Sequence, residues 1–133
     1  MKTYRAALIG CSRMGAFIDN EVDHTLAYSH AAGYEACDRT DLVACADLRE
    51  DVMAQAGERY GVPKSRQYTD YRELIDTEEP DIVSVATQPE QRAEIVVYAA
   101  EHGAKAIYAE KAMAASMADA DAMVDACERN GVF

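Results

Sequence analysis

The chain has 133 residues, 13 Lys and Arg against 24 Asp and Glu, and a formal net charge of −11. That length suits one domain that buries roughly 70% of the unfolded chain's surface, and a half-hydrophobic composition argues against a disordered acidic tail. The charge repels phosphate backbones and anionic lipid, and no basic patch offsets it, so nucleic acid and membrane surfaces are excluded as partners.

The first eleven residues carry Lys2 and Arg5 but only the short apolar run 6–9, less than a secretory signal requires. The longest later run, 95–100, is too short to cross a bilayer. A soluble, cytoplasmic protein is expected. Cys11, Cys37, Cys45 and Cys127 form no C-x-x-C pair and no zinc-type spacing with histidine. Reduced, mostly buried thiols are the expectation.

Residues 4–9 are mainly apolar or aromatic and end at Gly10, as a buried strand entering a tight turn reads. Residues 14–18 then start a helix. A second strand covers 42–46 and closes at Asp47. Val52, Met53, Ala56 and Tyr60 share one helical face, with Gly61 as the stop and Pro63 just beyond. A weak strand at Gln67 and Tyr68 precedes Asp70, the N-cap of a short helix reaching Ile75. The acidic stretch 76–81 reads as a solvated loop before the cleanest strand, 82–86.

Pro89 suits a first helical turn, and Ala93, Val96, Val97 and Ala100 make an apolar stripe up to Gly103. A fifth strand falls at 106–108. Ser116 with Asp119 resembles a capping box. Met117, Ala120, Val124 and Cys127 follow at helical spacing until Gly131, and Val132 and Phe133 begin a sixth strand. Alternation of strands with helices of about 10 to 15 residues indicates right-handed crossovers, hence an α/β fold with a doubly wound parallel sheet, a Rossmann fold truncated at the start of its sixth strand. Ligands of such sheets bind beyond the carboxyl ends of the strands.

At the first of those ends stands Gly10-Cys11-Ser12-Arg13-Met14-Gly15, the dinucleotide fingerprint with Ser in place of the middle glycine. Gly10 permits the turn, Gly15 lets helix and strand approach, and the helix N-terminus offers N–H groups to a pyrophosphate. Asp47 can accept hydrogen bonds from ribose hydroxyls and repels a 2′-phosphate, which favours NAD over NADP; Arg49 could bind that phosphate instead and keeps NADP open. From Gly15 to Asp47 is 32 residues, some ten more than a minimal unit, so an insertion lies between about 20 and 38. It contains His24 and His30, whose six-residue spacing fits neither face of one helix. A polar surface loop is expected there, not a metal site. His102, near a helix C-terminus, reads as a favourable cation.

The Gly10 to Gly15 turn, Asp47, the Val83-x-Val85-Ala86-Thr87 run before Gln88 and Pro89, and Glu110-Lys111-Ala112 together resemble the glucose-fructose oxidoreductase and inositol dehydrogenase family. The resemblance covers essentially the whole chain, 1–133, as that family's N-terminal NAD(P)-binding domain. It implies an oxidoreductase that moves a hydride between a nicotinamide cofactor and a sugar, cyclitol or related hydroxy compound. A second α/β domain, lying outside this sequence, would complete the substrate site and form the oligomer interface. The chain alone would then bind cofactor without turnover, and its open edge makes a homodimer an expectation.

Carried over by the same resemblance, Gly10, Ser12, Arg13, Met14 and Gly15 form the pyrophosphate turn, Asp47 is the ribose acid, and Thr87 and Gln88 lie near the middle of the cofactor. Glu110 and Lys111 flank the nicotinamide, with Lys111 the catalytic residue for proton transfer. Three positions depart from the family pattern: Ser12 for Gly, Ala112 for Pro, and Arg92 where His is common. Fold alone also permits a nucleotide-sensing regulatory module without turnover, or a methyltransferase, although the latter leaves the Glu110-Lys111 segment unexplained.

Overall fold

The computed structural model describes residues 1–23 and 26–133. Five parallel strands, β1 (Tyr4–Ile9), β2 (Thr40–Ala46), β3 (Gln67–Tyr68), β4 (Ile82–Val85) and β5 (Ala106–Ala109), lie in the order β3-β2-β1-β4-β5. This is the doubly wound arrangement, and the strand order reverses between β1 and β4. Phe133 extends it: its N–H donates to the Lys105 carbonyl at 3.1 Å and its carbonyl accepts from Ile107 at 2.7 Å. That pattern is the first rung of a sixth parallel strand on the β5 edge.

Alternating side chains send each strand's residues to two cores. Ala7, Ile9, Ala44, Val83 and Val85 pack against α3 (Tyr71–Glu78), α4 (Pro89–Glu101) and α5 (Met117–Asn130). Leu8 and Cys45 pack on the other face with α1 (His30–Glu35) and α2 (Glu50–Tyr60). Register slips where Ala6 pairs with Leu42 but Ala7 with Ala44, so Val43 is an extra residue that joins Ala44 on one face.

The stops at Gly61 and Gly131 are left-handed C-caps with φ of 72° and 65°, a conformation that costs glycine no Cβ clash. Asp70 caps α3 by accepting the Arg72 N–H at 2.9 Å, and Ser116 caps α5 by accepting that of Asp119 at 3.1 Å. His102 closes α4, its ring stacked on Tyr98 with Nδ1 donating to the Tyr98 carbonyl at 2.8 Å.

Four expectations are corrected. The helix expected from residue 14 is one wide turn, Arg13–Phe17, closed by the Ile18 N–H on the Arg13 carbonyl, followed by a 3-10 turn, Ile18–Asn20. The crossover's longer helix comes later, as α1, inside the supposed polar loop. The acidic stretch is not all loop: α3 runs through Glu78, which is nearly buried and pairs with Arg5 at 3.0 Å and Arg66 at 3.7 Å. On α5 the buried residues are Met123 and Ala126, while Met117 and Val124 are exposed. Of the free thiols, Cys11 and Cys45 are buried, Cys127 is partly so, and Cys37 is exposed.

Candidate functional site

Where the strand order reverses, a cleft of about 420 Å³ opens beyond the ends of β1, β2 and β4. Gly10, Ser12, Asp47, Arg49, Thr87 and Gln88 all line it. Six residues singled out from three separate strand ends thus share one concave surface.

Steric limits explain the turn. Gly10 has φ of 93°, and a Cβ there would stand 2.7 to 2.9 Å from the Ala86 and Thr87 backbone. A Cβ on Gly15 would run into the Gly10 carbonyl. Glycine at both positions lets the turn, the strand and the β4 end approach each other closely. Ser12 is exposed and precedes the wide turn, whose first bond is Ala16 N–H to the Ser12 carbonyl at 2.8 Å. The N–H groups of Arg13, Met14 and Gly15 lie ahead of that bond and have no intrahelical acceptor.

Asp47 is tied into this surface by backbone. One carboxylate oxygen accepts the Cys11 N–H and the other the Arg49 N–H, each at 2.8 Å. A carboxylate has about four acceptor positions, so each oxygen keeps capacity for a ligand hydroxyl. The Arg49 guanidinium pairs with Asp51 at 3.0 Å, and that of Arg13 with Glu21 at 2.9 Å; both lie well exposed.

Glu110 and Met14 line a second cavity of about 470 Å³ together with His30, Tyr34 and Tyr108. Glu110 follows β5, its N–H bonded to the Val85 carbonyl at 2.9 Å. Burial pushes its carboxyl up, but the Lys111 backbone N–H and the His30 ring outweigh that and hold it below the usual range. Lys111 is exposed in the turn after β5, and its amine has no hydrogen bond or ion pair among the described residues. The Lys111–Ala112 peptide is cis.

Sequence reasoning missed two residues that hold this region. Arg92, 2% exposed, donates from α4 to the carbonyls of Thr87 and Ala112, and so clamps the turns after β4 and β5 to each other. Burial lowers it from its ordinary value against the pull of Glu110 and Glu90, and guanidinium stays charged in proteins regardless. His30 is also buried, between Ser84 and Glu110. It reaches that place because Asp19 accepts the Tyr28 and Ser29 N–H groups at 2.7 and 3.0 Å and Ser29 caps α1. The readable signal was Ser84, a polar residue inside an apolar parallel strand that must have a buried partner. His24 lies outside the described residues. Among the described residues, no group of three or more His, Cys, Asp or Glu is placed to hold a metal, and no helix is long and apolar enough to cross a membrane.

The chain is similar to D-apiose dehydrogenase of Paraburkholderia graminis, at 34% identity over 99% of this chain and 31% of that protein. It is similar to myo-inositol 2-dehydrogenase of Thermotoga maritima, at 29% identity over 97% of this chain and 34% of that one. Among solved structures, an oxidoreductase from Agrobacterium radiobacter in complex with NAD+, L-tartaric acid and magnesium superposes with a TM-score of 0.78. It has 27% identity over 98% of this chain and 34% of its own. The chain thus spans about a third of the length of the relatives it matches. With a family model matching residues 4–133, the chain belongs to the Gfo/Idh/MocA oxidoreductase family, in its NAD-binding Rossmann fold.

Proposed function

We infer that the chain holds NAD(H) across the ends of β1 and β4, with the pyrophosphate over Ser12 to Gly15, the adenosine ribose on Asp47, and the nicotinamide toward Glu110 and Lys111. One observation carries this reading: Gly10, Ser12, Asp47, Thr87 and Gln88, from three strand ends, line a single cleft at the point of strand-order reversal. The residues fit the group. The turn's N–H groups suit a pyrophosphate, and the anchored carboxylate suits a pair of vicinal hydroxyls. Asp47 also repels a 2′-phosphate, while Arg49, the group that would attract one, is paired with Asp51. Both support NAD over NADP.

The protein that carries this chain is then an oxidoreductase acting on the carbinol carbon of a sugar, cyclitol or related hydroxy compound, a reading supported by the D-apiose and myo-inositol dehydrogenases it resembles. The bound nicotinamide supplies the hydride acceptor or donor. In the oxidative direction the neutral Lys111 amine takes the substrate hydroxyl proton, and in the reductive direction the ammonium returns it. Glu110 orients the lysine through its backbone, and Arg92 holds the two turns that flank the site.

Free thiols and an acidic surface suit a reducing, cytoplasmic setting. Tyr108, a large side chain exposed on β5, suits a contact in a homodimer. Calorimetric titration with NADH and NADPH tests the cofactor assignment. Saturable NADH binding that is at least tenfold tighter than NADPH binding is expected, and no binding of either would overturn it.

A further inference from the structure

The second cavity contains polar groups that cofactor binding leaves unused. Ser84 is completely buried in β4, and its hydroxyl meets the Tyr34 hydroxyl at 2.6 Å and His30 Nδ1 at 2.9 Å. His30 Nε2 faces Glu110 Oε2 at 3.3 Å, and Glu110 Oε1 accepts the Lys111 backbone N–H at 2.8 Å. Four side chains from α1, β4 and the turn after β5 therefore form one connected line that ends at Lys111.

The protons on that line can be assigned from its ends. An ionised carboxylate has no proton to give, so Nε2 must donate to Glu110. A neutral imidazole then has only Nδ1 as acceptor, so the Ser84 hydroxyl donates to it, and the Tyr34 hydroxyl donates to Ser84. Every member is satisfied in a single pattern of directions, which is the condition under which a buried polar network makes its surroundings rigid. The titratable and charged groups around the ring are Glu110 from the turn, Arg92 from α4, Tyr34 on its own helix, and Tyr108, whose ring lies 4.4 Å away centroid to centroid.

We propose that His30 is a positioning residue for the Lys111 turn: anchored on Ser84 of β4, it fixes the Glu110 carboxylate, which fixes the Lys111 backbone. The proposal rests on the reading of Lys111 as the proton-handling group. It gives the insertion between β1 and β2 a task, since Asp19 and Ser29 hold the start of α1 where its first residue meets the sheet. Without the imidazole, Glu110 loses the only donor from another element that it has among the described residues, and the turn is left to its local bonds and the Arg92 clamp.

Amide hydrogen exchange at Lys111, read by NMR, tests this in the 133-residue protein with and without NADH. A glutamine at position 30 offers an amide N–H close to where Nε2 donates, whereas asparagine reaches only the Nδ1 position and Ser84. His30→Asn is expected to speed Lys111 exchange at least tenfold, and His30→Gln to stay within about threefold of wild type. Leu8 exchange, deep in β1, should be unchanged in both. Equal Lys111 exchange in all three proteins, or an equal rise in both variants, overturns the proposal. Should His30→Asn lose protection at Leu8 and so report unfolding, Ser84→Ala decides. It leaves the ring bonded to Glu110 but removes its anchor, and at least a threefold rise is expected where no rise overturns the proposal. Failure of the wild type to bind NADH would count against the cofactor assignment instead, and the exchange rates would still judge His30.

Discussion

The Asp47 carboxylate accepts the backbone N–H of Cys11 at 2.8 Å across 36 positions of sequence. The acid at the end of β2 and the turn at the end of β1 are therefore one hydrogen-bonded unit, and a ligand that touches one feels the other. Asp47→Asn keeps a single carbonyl acceptor where the carboxylate served both Cys11 and Arg49. It is expected to weaken NADH binding by about 1 to 3 kcal/mol and to narrow the gap to NADPH, because the charge that repels a 2′-phosphate is gone. Paired NADH and NADPH titrations check this. Equal losses for the two cofactors would show that Asp47 supports the turn and not the ribose.

Gly15 has no room for a methyl group, since its Cβ would run into the Gly10 carbonyl. Gly15→Ala must separate the wide turn from β1, an overpacking that costs about 1 to 3 kcal/mol. Urea unfolding should show a loss of that size, together with NADH affinity lowered at least tenfold. A variant with wild-type stability and affinity would mean that the turn can relax without cost.

Arg92 joins the carbonyls of Thr87 and Ala112 from inside the protein. Arg92→Met fills much of the volume but leaves both carbonyls without that donor. Hydrogen bonds from a charged group are worth about 1.5 to 3 kcal/mol each, offset in part by the desolvation that the guanidinium no longer suffers. A net destabilisation of about 2 to 4 kcal/mol is expected by chemical denaturation. A change under about 0.5 kcal/mol would show that the clamp contributes nothing.

Burial holds His30 below its ordinary imidazole value of 6.5, against the pull of the Glu110 carboxylate. On acidification the unfolded chain therefore takes up this proton before the folded one does, and stability falls as the pH drops below 6.5 until the folded group also titrates. Glu110, lowered from 4.5, adds stability that is present above that value and lost as the pH falls through its folded one. Both act in the same direction. Wild-type stability should decline toward acid, each group contributing at most about 1.4 kcal/mol per pH unit. Urea midpoints for His30→Phe should decline less steeply between about pH 6.5 and 5. Parallel slopes would contradict the buried, neutral histidine.

The strands were legible because parallel strands covered on both faces are apolar runs that end at glycine or acid, as Ile9-Gly10 and Ala46-Asp47 do. The cleft residues followed from the same logic, since fold topology alone puts those ends together. Periodicity held only in part on α5, because its many alanines allow two stripes: Cys127 packs against the core as its spacing suggests, but Met123 and Ala126 are the buried residues while Met117 and Val124 are exposed. The Lys111 surroundings were not legible. Their partners are a histidine 80 positions away from Glu110 and an arginine bonded to main-chain carbonyls, and neither relation leaves a local spacing to find. His30 gave no helical signal because α1 is only six residues long and depends on Asp19 and Ser29 for its place.

The placement of NAD(H) over the β1 turn, with its ribose on Asp47, can be read residue by residue from amide chemical shifts during titration with NADH. That placement predicts saturable shifts concentrated at residues 10–15, at Asp47 to Arg49 and at Thr87 and Gln88, with smaller shifts at Glu110 and Lys111. Shifts centred elsewhere, or none at millimolar NADH, would contradict it.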